Sequence, residues 1–148
     1  MKRLLLLLIP IFFIACSQSD VQQAKQEKRH LQNVNLSGAD LSDFDLKNVN
    51  LSNARLKNAN LAEADLQGSV LVSTSFQAAN LQGANLKDTD CQGADFLSAY
   101  LEKADFQGAN LTHARFVGSG VKKADFRNTV GLTDDQKDVL KSRGAIVD

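Results

Sequence analysis

The chain has few of the residues that usually carry chemistry or stack on nucleic-acid bases. Its 148 residues include no tryptophan, one tyrosine, two histidines and two cysteines. Without tryptophan and with a single tyrosine, the chain lacks the aromatic surface on which successive bases stack. The 17 basic and 17 acidic residues cancel to a formal charge of zero, so the basic excess of nucleic-acid-binding proteins is also missing. We therefore expect no nucleic-acid partner.

Motifs of catalysis and of metal binding are missing from the sequence as well. It contains no CxxC pair, no glycine-rich phosphate loop and no serine-centred nucleophile elbow. The two histidines, His30 and His113, are far apart in the sequence, and we expect them to remain apart after folding, which argues against a shared metal ion. The sequence predicts neither an enzyme nor a cofactor or metal site.

The first sixteen residues differ sharply from the rest of the chain. Two basic residues precede an apolar run over 4–15, which is too short to span a bilayer as a helix and is typical of a secretory signal. The segment FIAC, residues 13–16, resembles the lipobox of bacterial lipoproteins, although Phe13 stands where leucine is usual. The resemblance implies that residues 1–15 are removed and that Cys16 receives diacylglycerol on its thiol and an acyl chain, such as palmitate, on its amine.

An anchor with several acyl chains would hold the protein stably at a membrane. The alternative is an ordinary signal peptide with a coincidental cysteine. The residue after Cys16 is Ser17 and not aspartate, which by the same resemblance implies the periplasmic face of the outer membrane in a bacterium with two membranes. Residues 16–30 are polar, and we expect a tether there. The mature chain would keep 15 basic and 17 acidic residues, and Cys91 would have no partner for an internal disulfide.

A five-residue repeat fills the middle of the chain. From Leu31 to Phe126 every fifth residue is apolar, and of these twenty positions thirteen are leucine and five are phenylalanine, with Cys91 and Val121 as the others. Two residues before each lies a second regular position, which is alanine in twelve of twenty repeats. A period of five fits neither the 3.6-residue period of a helix nor the two-residue period of a strand.

The segments ADLQG, ANLQGANL and KADFRN resemble the pentapeptide-repeat proteins, whose motif is A(D/N)LXX. The resemblance implies an all-β fold, a right-handed parallel β-helix of square cross-section in which four pentapeptides form one coil. Alternation along an extended segment directs both regular positions inward, and glycine at six corner positions accepts unusual backbone angles. Residues 31–130 should form about five coils, roughly 24 Å tall at the usual strand spacing.

Residues twenty apart should stack in the core of this fold. One column then contains Leu71, Cys91 and Leu111, in which Cys91 takes the place of a leucine and acts as a small apolar residue. In the first coil, larger residues stand where alanine is usual, and we expect them to fill an open N-terminal end: Val34, Phe44 and Val49.

Residues 131–148 no longer follow the repeat and predict a capping helix with a short tail. Thr133 and Gln136 have the spacing of a capping box, and Gly144 suits the position just past a helix end. We expect Leu132, Val139 and Leu140 to cover the last coil, which would prevent its strand edges from pairing with other chains.

Two features of the outer surface are informative. One outward column is mostly acidic, and two residues after each of its members stands a basic or amide residue, so we expect the charges to be neutralised locally. The members of this column are Asp45, Asp65, Asn85, Asp105 and Asp125. By contrast, Leu97, Tyr100 and Val117 occupy outward positions on the fourth and fifth coils where polar residues are usual. They predict a small partner-contact patch, although single apolar surface residues are common in soluble proteins.

The sequence thus favours a non-enzymatic lipoprotein that binds a protein or an envelope polymer as a scaffold module. The alternative is a structural spacer without a specific partner. Two readings are disfavoured: an enzyme, which lacks a site, and a DNA mimic that binds gyrase, as some cytoplasmic relatives do, because the chain lacks their strongly acidic surface. A homodimer stays open, since members of the family often pair end to end.

Overall fold

A computed structural model describes residues 31–148, together with the backbone of a two-residue strand, β1 (Arg3–Leu4). The other regular elements are the strand β2 (Phe44–Asp45) and the helix α1 (Asp134–Ser142). Strand β1 pairs with β2 in parallel, with Arg3 opposite Phe44. The predicted lipidation site Cys16 and the predicted tether, residues 16–30, lie outside the described residues, as do the side chains of the predicted signal peptide.

Between residues 31 and 130 the backbone pairs in parallel with itself at intervals of twenty residues. Arg55 pairs with Asn35 below it and with Ser75 above it. The N–H of Leu36 donates to the carbonyl of Arg55 at 2.7 Å, and the N–H of Arg55 donates to the carbonyl of Val34 at 2.9 Å. Because each coil contains four pentapeptides, the chain forms the predicted right-handed quadrilateral β-helix.

Each side of a coil ends in a tight turn at a corner residue, the second residue after the central apolar one. At one such corner the N–H of Ala39 donates to the carbonyl of Leu36 at 3.1 Å, and Gly38 between them has a φ of 70°. The corner residue has a positive φ in all twenty pentapeptides, although only six of them are glycine. A positive φ at the third residue is typical of a type II turn. Of the fourteen other corner residues, seven are Asn or Asp, which adopt this conformation more easily, and for the other seven it costs roughly 1–2 kcal/mol each.

The interior is filled by columns of central side chains. Phe76, Phe96 and Phe116 form one stack, with ring centroids 5.1 Å apart at each step and nearly parallel planes. Phe106 and Phe126 form a neighbouring stack at 4.8 Å, and the two stacks meet edge to face. These spacings match the distance between hydrogen-bonded strands, so each ring lies directly on the ring of the next coil.

Polar residues at inward positions bond to the backbone. The hydroxyl of Ser69 donates to the carbonyl of Leu46 at 2.7 Å and accepts from the N–H of Val49 at 3.2 Å, which joins the first and second coils. The hydroxyl of Thr74 donates to the carbonyl of Leu51 at 2.8 Å. Within the described part of the chain, no buried side-chain nitrogen or oxygen lacks a hydrogen-bond partner, so these residues do not create an internal polar site.

Helix α1 covers the last coil and begins as predicted. Thr133 and Gln136 form a capping box in which each side chain bonds to the backbone of the other residue. Leu140 points into the coil and is 2% exposed. The side-chain amide of Gln136 also donates to the carbonyl of Ala114 at 3.1 Å, a group that would otherwise stand free at the strand edge. No helix in residues 31–148 is long and apolar enough to cross a membrane.

The expected apolar face of the helix is partly wrong. Leu140 is buried and Leu132, just before the helix, is half-buried and packs against the core, as predicted, but Val139 is 49% exposed. The helix ends at Ser142 and Gly144 follows with a φ of 86°, as the sequence predicts. Val139 and Leu140 are neighbours in α1, so their side chains point about 100° apart around the helix and only Leu140 faces the coil.

The tail after α1 returns to the β-helix, which the sequence did not indicate. Ile146 pairs in parallel with Asp125. Its N–H donates to the carbonyl of Ala124 at 2.8 Å, and its carbonyl accepts from the N–H of Phe126 at 2.8 Å. The tail therefore adds one side of a sixth coil. The predicted filling residues of the first coil are buried in the described structure: Val34, Phe44 and Val49.

Candidate functional site

The outer surface of the β-helix is built from ladders of polar side chains that step from coil to coil. On the third side, the amide of Asn60 donates to Asp40 at 3.1 Å and the amide of Asn80 donates to Asn60 at 3.0 Å. Within a coil, the same oxygens accept the N–H two residues on, as Asp40 does from Ser42. These Asp and Asn residues thus brace both the turns and the stacking, a role that becomes visible only when residues twenty apart are aligned.

On the fourth side, carboxylates and basic residues neutralise one another, as the sequence predicts. Lys47 lies 3.1 Å from Asp65, and Lys87 lies 3.0 Å from Asp105. The lysine of each pair is about two-fifths exposed, but Asp65 is 2% exposed whereas Asp105 is 29% exposed. The Lys87–Asp105 pair is therefore a surface pair, of a kind that contributes about 0–1 kcal/mol. Three of the four carboxylates of this column are paired with basic residues, and two of them, Asp65 and Asp125, are buried, so the column is a structural face and not an exposed ladder of negative charge.

Asp125 is the most strongly held carboxylate on this side. The guanidinium of Arg127 donates to both of its oxygens, at 2.6 to 3.1 Å, and the amide of Gln107 donates to it at 2.6 Å. These hydrogen bonds, that of the Arg127 side chain above all, hold the pKa of Asp125 well below its ordinary value. Asp125 remains ionised over the range in which proteins work, so it is a structural anion and not a proton donor.

The predicted contact patch lies where the ladder of the third side stops. Above Asn80 in that column stands Tyr100, which is 53% exposed and continues no amide ladder. Around the adjacent corner, Leu97 is half-buried and Val117, one coil higher in the same column, is 63% exposed. These three residues, which we call the apolar patch, are therefore accessible on the fourth and fifth coils.

Cys91 lies in the core column with Leu71 below and Leu111 above, and all three are fully buried. Its thiol lies 3.2 Å from the hydroxyl of Thr89. Burial raises the pKa of the Cys91 thiol to about 12, an effect that the hydrogen bond to Thr89 only partly offsets. A thiol with this pKa and no solvent access is inert as a nucleophile.

The buried thiol leads to a pH prediction. In the unfolded chain Cys91 ionises near pH 9, whereas in the folded chain it stays neutral to about pH 12. The folded state then holds one more proton than the unfolded state, so stability is fully present below pH 9 and falls as the pH rises toward 12. We expect the free energy of unfolding to fall by about 1.4 kcal/mol per pH unit in that range relative to Cys91→Ala.

Urea unfolding of both proteins from pH 7 to 11 checks this expectation. All other groups titrate in both chains, so only the difference between the two curves matters. Curves that remain parallel above pH 9 would show that the thiol is not buried in the folded state.

The described residues contain no cluster of metal-ligating side chains. No group of three or more His, Cys, Asp or Glu side chains there could hold a metal ion. His113 stands at an exposed corner of the fifth coil, and the second histidine, His30, falls outside the described residues. The sides of the coils carry polar ladders that the apolar patch interrupts on the fourth and fifth coils.

Parallel coils of four five-residue sides define a β-helical repeat protein. The sequence matches the family model of pentapeptide repeats in eight copies, over residues 30–68, 50–88, 79–118 and 94–130. The chain belongs to the pentapeptide-repeat family. A search of curated proteins gave no match.

Several solved structures resemble the chain. HetL, a pentapeptide repeat protein involved in heterocyst differentiation regulation from the cyanobacterium Nostoc sp. strain PCC 7120, is 32% identical over 64% of this chain and 50% of its own length, with a TM-score of 0.52. This chain thus spans half the length of HetL. Rfr23 from Cyanothece 51142 is 23% identical over 89% of this chain and all of its own, with a TM-score of 0.61. A thylakoid-lumen member from Arabidopsis thaliana is 34% identical over 78% and 80%, with a TM-score of 0.46.

Proposed function

We propose that the protein is a non-enzymatic lipoprotein that binds another envelope protein through the apolar patch. The observation that carries the proposal is the exposure of Tyr100 and Val117 next to each other on the sides of the fourth and fifth coils, where most outward residues are polar. The other exposed large apolar residues lie at the C-terminal end of the described structure: Val130, Val139 and Ile146. Tyrosine is enriched among the residues that dominate binding energy, because its ring is large and its hydroxyl finds a partner. A solenoid also presents an extended, rigid surface of the kind that repeat proteins use for binding.

The membrane anchor completes this proposal. A lipidated Cys16 followed by a polar tether over 17–30 would hold the rod near a membrane and leave its sides free. In a bacterium with two membranes, Ser17 favours the outer membrane, with the rod in the periplasm. A repeat protein without catalytic groups then acts by holding a partner at the membrane surface.

The second candidate is a structural spacer. The braced ladders and the stacked core give the rod stiffness, which is all that a spacer needs. A spacer has no specific partner, so its neighbours in the envelope should not depend on any one surface residue. Binding to an envelope polymer is a further outcome that the experiments below separate from protein binding.

Replacing Cys16 tests the anchor. We expect Cys16→Ser to abolish labelling with radioactive palmitate and to move the protein out of the membrane fraction. Ser17→Ala, which keeps the cysteine, is the matched control and should be labelled as well as the unmodified chain. Undiminished labelling of Cys16→Ser would rule out the proposed anchor.

Placing charged residues in the apolar patch tests whether the patch binds a partner protein. We expect Leu97→Glu with Val117→Lys to remove the major cross-linked partner proteins in whole cells, with an unchanged circular dichroism spectrum. The control is Gln92→Glu with Thr112→Lys, which places the same charges at the same positions of the same two coils on the neighbouring side. The spacer is favoured if the patch variant keeps every cross-link of the unmodified protein, and polymer binding is favoured if sedimentation with envelope polysaccharide is lost instead.

A further inference from the structure

The four corners of the β-helix differ strongly in charge. Residues twenty apart stack along each corner, and three of the corners hold a single charged residue between them, Asp88. The remaining corner, between the third and fourth sides, carries four charges sorted by sign. We call it the charged corner, and from the first coil to the fifth it reads Asp43, Glu63, Gly83, Lys103 and Lys123.

The charges of this corner are exposed and find no ion-pair partner among the described residues. Asp43, Glu63, Lys103 and Lys123 are all exposed. The ion pairs that the described residues form use other cations, on the second and fourth sides: Lys47, Lys87, Arg115 and Arg127. The charged corner is thus polarised along its length, acidic at one end and basic at the other.

The backbone makes this corner an unfavourable place for long charged side chains. Glu63, Lys103 and Lys123 hold φ values of 57°, 61° and 63°. Most residues at the other corners are glycine, asparagine or serine, and asparagine and glycine adopt this conformation at lower cost. A long charged residue at this corner therefore costs more folding free energy than the glycine or asparagine found at the other corners. We take this cost as a sign that the charges of this corner have a function.

In reverse order the corner has the opposite charge at each charged position, so the corner is complementary to a second copy that runs antiparallel to it. We propose that two copies of the protein associate side by side and antiparallel along the charged corner, about a two-fold axis at Gly83. In that arrangement Lys123 of each copy faces Asp43 of the other, and Lys103 faces Glu63. A two-fold contact of this kind is self-complementary because every pair occurs twice.

The surroundings of the corner fit the same arrangement. Gly83 has no side chain, and the carboxylate of Glu63 lies over it, so the charge of Glu63 is near the axis and within reach of the second copy's lysine. On the third side, the two-fold axis places Tyr100 opposite Asn60, which carries no charge. Glu102 on that side accepts from Gln82 at 3.3 Å and lies opposite Ala62, so the third sides bring no like charges together.

On the fourth side the axis places Asp45 opposite Asp125 and Asp65 opposite Asp105. Three of these carboxylates are already paired with a basic residue of their own chain: Asp65, Asp105 and Asp125.

The contact is short and largely polar, so it should be weak and sensitive to salt. It is compatible with the proposed anchor but does not depend on it. A tether of fourteen residues, 17–30, spans up to about 48 Å when extended, roughly twice the height of the rod. Both anchors of an antiparallel pair could therefore reach one membrane.

Charge reversal with rescue tests the pair on the mature protein in density-matched detergent, by sedimentation equilibrium. One variant, Lys103→Glu with Lys123→Glu, makes the corner wholly acidic, and the other, Asp43→Lys with Glu63→Lys, makes it wholly basic. We expect the unmodified chain to self-associate at about 50 mM salt and at least about tenfold more weakly at about 500 mM. Each variant alone should associate at least about tenfold more weakly than the unmodified chain, and an equal mixture of the two should restore the association.

Zero-length cross-linking of unlabelled and nitrogen-15-labelled chains supplies a second readout. An amide bond that joins Glu63 of one chain to Lys103 of a chain with the other label supports the pair. The proposal is overturned if the unmodified chain stays monomeric at low salt, or if the mixture of variants associates no better than each variant alone. Loss of the anchor in Cys16→Ser would leave these results unchanged, so the two proposals fail separately.

Discussion

Replacing Phe96 with alanine is expected to lower the free energy of unfolding by about 3–5 kcal/mol. Phe96 is fully buried, and its ring stacks on Phe76 below and on Phe116 above, each at 5.1 Å. It also meets Phe106 edge to face at 5.5 Å. Alanine would therefore leave a cavity bordered by three rings in the middle of the stack, where the rigid backbone coils on both sides limit collapse.

The same substitution at the top of the stack is the matched control. Phe116 also contacts three rings, but only one of them stacks on it in its own column, and Phe116 is 8% exposed whereas Phe96 is fully buried. Phe116→Ala should therefore cost less than Phe96→Ala. Chemical denaturation of both variants, with circular dichroism as the signal, measures the difference. Equal costs, or a cost below about 1 kcal/mol for Phe96→Ala, would contradict the stacked core.

Much of the β-helix could be predicted because its rule is local and repeats without interruption. Each pentapeptide specifies its own side, turn and inward residues, so the column of Leu71, Cys91 and Leu111 follows from counting in twenties. The positive φ at every corner follows from the same turn, whichever residue occupies it. A regular sequence period thus carries the long-range contacts that are usually hidden in a single sequence.

The parts that were missed or wrong lie where the period ends. Ile146 pairs with Asp125, an interval of twenty-one residues that no count in twenties finds, because α1 intervenes. Val139 was expected to face the coil but is half exposed, since the direction of a short helix depends on contacts such as that of Gln136 with Ala114. Ends are set by tertiary packing and not by the repeat.

The candidate site was predictable in position but not in role. Counting places Leu97 and Val117 in one outward column and Tyr100 around the corner, and the structure has them there and accessible. What they contact depends on the shape and chemistry of another molecule, which leaves no trace in the spacing of this chain. The apolar patch and the lipidation of Cys16 therefore stay predictions that the experiments above decide.

Removing residues 131–148 is expected to turn the protein into large assemblies. The deletion uncovers the interior of the last coil and removes Leu140, whose burial contributes about 1.5–3 kcal/mol. It also frees backbone groups at the strand edges: the carbonyls of Ala114 and Ala124 and the N–H groups of Lys123 and Phe126. Unpaired edges next to an open apolar core are templates for pairing with further chains, so end-to-end association should follow.

Light scattering during size-exclusion chromatography measures the size of the particles. A point variant that only weakens α1 serves as the control, because it keeps the last coil covered by residues 131–148. Thr133→Ala removes the helix N-cap at a cost of about 1 kcal/mol but leaves Leu140 and the Ile146 pairing in place, so its particle size should match that of the intact chain. The shortened chain should instead elute as heterogeneous, larger particles with a lower melting temperature. If it elutes at the size of the intact chain and melts at the same temperature, α1 and the tail do not protect the end of the β-helix.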